Sequence, residues 1–259
     1  MFQSMRPWAV LTMGGRTAAY GIVVVVLGIA VLSAAPSAVA DDGHPAAPVL
    51  LEPGEFHGDE IQTAGGSGWL ALVRSGSRVS LDPVVVMVTP VRDHLADGDS
   101  GPISGKRVSV SVSGTDPVLL VRGIPALEAG AVTEAQLDCA DCGQPTEFNQ
   151  HRYFRLRLDG EVYELEAFLP EPGEPFDENS EIRLSHRAAV QVIHRPTRVP
   201  DDPNWRVIWA GDLDGDGRLD LYVETSDHYN MGLGRLLLSS AAGPGELVGE
   251  VAVFETTGC

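Results

Sequence analysis

Acidic residues outnumber basic ones two to one in this 259-residue chain, 36 Asp and Glu against 18 Lys and Arg, for a formal net charge of −18 with Lys106 the lone lysine. A field of that sign repels phosphate backbones and anionic lipid surfaces, which excludes nucleic acid as a partner and leaves cation binding open. The length suffices for one large or two small β domains.

The chain begins with a leader pattern. Arg6 and Arg16 supply a positive start, Ala18 to Leu32 is mostly apolar, and Ala38-Val39-Ala40 offers small residues ahead of Asp41. This predicts a signal peptide over 1–40, cleaved after Ala40, and an exported protein, periplasmic or extracellular. The apolar run falls short of the roughly 20 residues a membrane span needs, so no transmembrane segment is expected in the mature chain. Residues 41–66, with Pro45, Pro48, Pro53 and Gly65-Gly66 and little periodicity, read as a flexible lead-in.

From Trp69 the pattern becomes strand-like and predicts a β-rich domain over 67–195. Trp69–Val73 and Val84–Val88 are continuous apolar runs, Val108, Val110 and Val112 alternate with serines, and Pro117–Val121 is a further strand. The acidic stretch Asp93–Asp99 lacks full metal-loop spacing and reads as a surface loop, with His94 and Asp97 the fallback position for a second ion. Mixed Ala and Glu content predicts one short helix from Thr133.

Cys139, Cys142 and Cys259 are the three cysteines. In an oxidising compartment a structural bridge from Cys259 to Cys139 or Cys142 is the favoured reading. Cys139-Ala140-Asp141-Cys142 has redox-motif spacing, but no βαβ context surrounds it, and the neighbouring aspartates would raise the thiol pKa values.

Asp159-Gly160 between two alternating runs predicts a two-residue type I′ hairpin. In that register Leu158 faces Glu161, Leu156 faces Tyr163 and Phe154 faces Leu165, while Arg155 meets Glu164 on the other surface. Strands are expected at Ile182–His186 and Ala189–His194, close enough for His186 and His194 to approach one another. A proline-marked link then leads into a C-terminal β segment, 196–259.

That segment carries the most informative residues of the chain. Asp212, Asp214, Asp216 and Asp220 occupy positions 1, 3, 5 and 9 of a nine-residue loop, with Gly215 and Gly217 permitting sharp turns. Alternate carboxylates on a tightly curved chain suit a hard cation that wants six to eight oxygens, with the backbone carbonyl of Arg218 as the position-7 ligand. One Ca²⁺ ion is the expected cofactor. Position 12 is Val223 and not the Glu of an EF-hand, and the flanks Val207-Ile208-Trp209 and Leu221-Tyr222-Val223 read as strands. From Trp209 to Thr225 the chain resembles the FG-GAP/VCBS repeats of secreted bacterial proteins and integrin-type propellers. In those families Asp-x-Asp-Gly-Asp-Gly-x-x-Asp links two strands around Ca²⁺.

One loop copy is too few for a propeller. The expected fold is therefore mainly antiparallel β, a sandwich or two packed sheets with little helix. No catalytic constellation stands out, since Ser239 and Ser240 lack a nucleophile elbow and the histidines form no triad. His228-Tyr229-Asn230 follows the loop closely enough to lie beside it, although a plain turn is the simpler reading. The functional expectation is an exported calcium-binding protein with a mainly structural ion, acting as a binding or envelope-interaction module toward a protein or carbohydrate ligand. Trp69, Trp205 and Trp209 are the main material for an aromatic patch. The alternatives are an extracellular hydrolase with calcium as scaffold, and an accessory subunit of a secreted complex.

Overall fold

The computed structural model describes residues 47–111, 117–138, 146–148, 152–169 and 175–258. In chain order the strands are β1 (Val49–Leu51), β2 (Gly54–Phe56), β3 (Gly65–Ser75), β4 (Arg78–Val91), β5 (Gly105–Val110), β6 (Pro117–Arg122), β7 (Gly130–Glu134), β8 (Gln136–Leu137), β9 (Thr146–Glu147), β10 (Tyr153–Leu158), β11 (Glu161–Phe168), β12 (Glu181–His186), β13 (Ala189–His194), β14 (Asn204–Asp212), β15 (Asp220–Ser226), β16 (Met231–Leu238) and β17 (Gly249–Thr257). A single 3-10 turn, Ser239–Ala241, follows β16. The fold is mainly antiparallel β, as the alternation of the sequence predicts. The expected leader, its cleavage site after Ala40, and Cys139, Cys142 and Cys259 lie outside the described residues.

The strands form two sheets. The larger has 12 strands and runs β1-β6-β3-β4-β7-β14-β15-β16-β17, with β2, β5 and β9 attached beside this path; the smaller runs β13-β12-β11-β10-β8. The large sheet curls until its first and last strands meet again. Phe56, at the end of β2, packs edge-on against Phe254 of β17 with ring centroids 5.2 Å apart, and Thr257 Oγ1 donates to Glu60 at 2.7 Å. Leu50, Leu51, Leu72 and Leu120 from the front of the chain and Leu236, Ala252 and Phe254 from its end share one core inside this curl. A second core lies between the small sheet and the outer face of β14–β16.

Strand β15 is therefore covered on both faces. Leu221 and Val223 point into the second core while Tyr222 points into the first, and all seven residues of the strand are buried. A strand covered on both faces carries an uninterrupted apolar run in place of alternation, which is what Leu221-Tyr222-Val223 displays. On β14 a bulge at Ile208 changes the phase of the pleat: Trp205 and Val207 face the second core, whereas Trp209 faces the first. Trp69, Trp205 and Trp209, the candidates for a ligand-facing aromatic patch, are all core residues, each at most 2% exposed.

The hairpin at Asp159-Gly160 has the predicted register throughout, Leu158↔Glu161, Leu156↔Tyr163, Phe154↔Leu165 and Arg155↔Glu164. Both turn residues have positive φ, 48° and 86°, as a type I′ turn requires. Arg155 and Glu164 form an ion pair at 3.1 Å on the outer surface.

Four expectations are corrected. No helix forms from Thr133: Gly130–Glu134 is β7, pairing with β4 through Val79↔Val132 and with β14 through Gly211↔Glu134. Its ladder bonds on two sides outweigh a local preference that one short isolated helix could not realise. The expected lead-in is part of the domain from residue 47 onward, contributing β1 and β2 and burying Leu50, Leu51 and Ile61. The division after residue 195 does not separate compact units, because β14–β17 continue the sheet begun by β1–β7 and residues 45–259 form one unit. His186 and His194 do not meet. The turn at 187–188 pairs His186 with Ala189, which leaves His194 opposite Ile182 at the far end of the hairpin.

Candidate metal centre

The acidic loop connects two neighbours in the large sheet. Gly211 pairs with Asp220, so residues 212–219 reverse the chain within the width of one ladder. Gly215 and Gly217 both sit at φ 78°, and an added Cβ would meet nothing within 4 Å at either position. Backbone conformation, not space, calls for glycine there. Leu213 inserts into the first core and Leu219 into the second, so the loop is pinned to both sides of the sheet.

Asp212, Asp214 and Asp216 converge. One carboxylate oxygen from each lies within 4.8 Å of the others. Oxygens that share an ion at 2.3–2.6 Å stand at most about 5 Å apart, so the three fit a single coordination sphere of a calcium-sized cation. The loop's own amides hold them in this pose: Asp212 accepts from the N–H of Gly215 at 2.8 Å and of Gly217 at 3.0 Å, and Asp214 accepts from the N–H of Asp216 at 3.3 Å. Burial, helped by the charges of Asp216 and Asp214, raises the pKa of Asp212. Burial acts the same way on Asp216, but the Ser239 hydroxyl and Arg218 outweigh it and hold that group below its ordinary value.

Asp220 stands outside this group of three. It is fully buried, and its carboxylate is bound to the backbone: Oδ2 accepts from Leu213 N–H at 2.7 Å and Asp214 N–H at 3.3 Å, and Oδ1 accepts from Ser239 N–H at 2.7 Å. The residue expected to close the metal site as a ligand instead latches the start of the loop to the end of β16. Burial, with the charge of Asp214 adding to it, raises its pKa to about 7 against the opposing amide bonds. Arg218 also enters by its side chain. Its Nε and Nη2 donate to Asp216 Oδ2 at 2.9 and 2.7 Å, and Nη2 reaches the Ser239 carbonyl at 3.1 Å.

Two serines that sequence reasoning weighed only as nucleophiles complete the arrangement. Ser239 Oγ donates to Asp216 Oδ2 at 2.7 Å, and Ser240 Oγ donates to Asp214 Oδ2. Nothing in local spacing marks them, because they reach the loop only through the pairing of β15 with β16. His228-Tyr229-Asn230, by contrast, is the turn after β15, at the opposite end of that strand from the loop. Seven strand residues separate the two by roughly 20 Å, so these side chains are no second shell.

The stretch Asp93–Asp99 is a self-contained loop. Asp97 accepts from Asp93 N–H at 2.9 Å, Ser104 N–H at 2.9 Å and Ser104 Oγ at 2.6 Å, and neither it nor His94 belongs to a metal-holding group among the described residues. Asp93 instead binds His57 Nδ1 and lies below its ordinary pKa, at about 2, chiefly through that bond; the same bond raises His57 above 6.5. The Asp93 contribution is present above its ordinary value of 3.8 and is lost as pH falls through about 2. The His57 contribution is complete below 6.5 and is lost as pH rises through its raised value. The melting-temperature deficit of His57→Gln relative to wild type should therefore peak between about pH 4 and 6.5 and shrink on either side, as melting curves across that range would show. A deficit independent of pH would mean that the contact is not ionic.

Among the described residues, no helix is long and apolar enough to cross a membrane. No family model, curated protein or solved structure matches this chain.

Proposed function

We propose that this is an exported calcium-binding protein in which one Ca²⁺ ion, held by Asp212, Asp214 and Asp216 with the Arg218 carbonyl, stiffens the β14–β15 connection. The observation that carries the reading is the convergence of three carboxylates in a loop whose two leucines are anchored in separate cores. All the donors in the group are hard oxygens, with no His or Cys among them, which favours a hard cation over zinc or copper. The likeness of Trp209–Thr225 to FG-GAP/VCBS loops points the same way. An ion held in this loop stiffens a connection whose leucines are anchored in both cores, and we read the domain as a binding or envelope-interaction module. Asp220 supports the site indirectly, by holding the amides of Leu213 and Asp214.

Calorimetric titration of the chelator-stripped protein is the direct test. One Ca²⁺ should bind per chain, with Mg²⁺ a much weaker competitor because it demands a smaller and stricter octahedron. No heat with Ca²⁺ would refute the assignment, and equal affinity for Mg²⁺ would refute the choice of ion.

A further inference from the structure

Four hydrogen bonds converge on one carboxylate of the acidic loop. Asp216 Oδ1 accepts from the Arg218 N–H at 2.8 Å, while Oδ2 accepts from Arg218 Nε at 2.9 Å, Arg218 Nη2 at 2.7 Å and Ser239 Oγ at 2.7 Å. An ionised carboxylate has about four lone-pair sites, so those of Asp216 are filled. Its two companions are less committed. Among the described residues Asp212 accepts only from the N–H groups of Gly215 and Gly217, and Asp214 only from the Asp216 N–H and Ser240 Oγ, which leaves each with lone pairs for an ion.

Asp216 can therefore join Asp212 and Asp214 around a cation only by giving up a donor, and its donors differ in how readily they leave. The Arg218 N–H belongs to the turn itself. Ser239 is neutral, 2% exposed and fixed in place just after β16. The Arg218 side chain is 55% exposed, so water can take over its hydrogen bonds, and its charge has the same sign as the ion. A divalent charge about 5 Å from a guanidinium is repelled enough, even at the dielectric constant of water, to change affinity about tenfold. A partly exposed ion pair holds its partners only weakly by comparison. Departure of the guanidinium returns two lone-pair sites on Oδ2, while Ser239 Oγ still holds the carboxylate toward the end of β16.

Resting on the calcium reading of this loop, we propose that the Arg218 guanidinium is a built-in competitor for the site. It neutralises Asp216 at low calcium and is displaced by the ion, so this one side chain sets the calcium concentration at which the loop fills. Arg218→Gln removes the charge and keeps the main-chain carbonyl assigned as a ligand. Calorimetric titration of the full chain with calcium chloride should show this variant binding about tenfold more tightly than wild type. Arg107→Gln, which removes an exposed arginine paired with Glu55 on the β2–β5 edge, should bind as wild type does. A charge acting only at a distance would break no bond, so the Arg218 Nε–H resonance of the wild type is followed by NMR in the same titration. It should move saturably toward the position of a free guanidinium. Equal or weaker calcium binding by Arg218→Gln, equal tightening by Arg107→Gln, or an Arg218 resonance that stays in place while calcium binds overturns the displacement and leaves the calcium site standing. Calcium heat from neither wild type nor Arg218→Gln overturns both.

Discussion

Asp220→Ala should lower the unfolding free energy by about 3–5 kcal/mol, measured by urea titration in the presence of a chelator. The substitution leaves the N–H groups of Leu213, Asp214 and Ser239 facing a buried void where an acceptor stood. Each buried donor without a partner costs about 1–3 kcal/mol, and two of these three bonds are short at 2.7 Å. Loss of a buried carboxylate whose pKa is already raised to about 7 offsets part of that cost, which is why the sum stays below the maximum. Asp220→Asn tests the same geometry more finely. The amide keeps one acceptor but turns an NH₂ toward the other set of donors, so it should recover only part of the loss. Because no cation is available in chelator, a full effect there assigns Asp220 to the latch. A loss below about 1 kcal/mol would show that the latch contributes little.

Calcium should raise the melting temperature by about 5–10 °C when its concentration is a hundredfold above Kd. Linkage gives about 2.7 kcal/mol at that ratio, and a domain of this size shifts by about 2–4 °C per kcal/mol. Asp214→Ala should remove most of this increment, because Asp214 is one of only three carboxylates in the cluster. Its effect in chelator should be small by comparison with Asp220→Ala. Asp97→Ala should lower the baseline by breaking its own loop at Ser104 and leave the calcium increment intact. Mg²⁺ should reproduce little of the shift. A wild-type melting temperature that does not move between calcium and chelator would reduce the loop to a turn, and a normal increment in Asp214→Ala would remove that residue from the site.

The contrast between these two substitutions marks the line between what was legible locally and what was not. Asp212, Asp214, Asp216 and Asp220 form one pattern on paper, yet three of them face a common point and the fourth faces the backbone of its neighbours. Spacing along the chain determines that alternate residues can converge. It does not determine where the last carboxylate turns, because that depends on Ser239 being delivered by β16.

The same division runs through the fold. The Asp159-Gly160 hairpin was readable to the residue, since a two-residue turn sets the register of both strands and each facing pair is satisfied. Strands β12 and β13 were readable to within one residue for a similar reason, and the predominance of strand over helix followed from alternation and turn residues alone. The segments misjudged were those whose partners lie far away in sequence. Residues 49–56 become strands because β6 and β5 accept them, and 130–134 because β4 and β14 flank them. The His194–Asp227 contact joins the end of β13 to the bend just after β15, 33 positions apart, so no motif could announce it.

By itself the sequence determined the antiparallel β character, the hairpin register and the acidic loop with its glycines, all of which depend on interactions within about ten residues. Only the tertiary structure decided that β15 is buried on both faces, that Asp220 is a latch, that Ser239 and Ser240 hold the loop, and that Trp69, Trp205 and Trp209 lie in cores. Each of these depends on which strands become neighbours. That choice is made by burying apolar faces collectively over the whole chain, and no short window of sequence contains it.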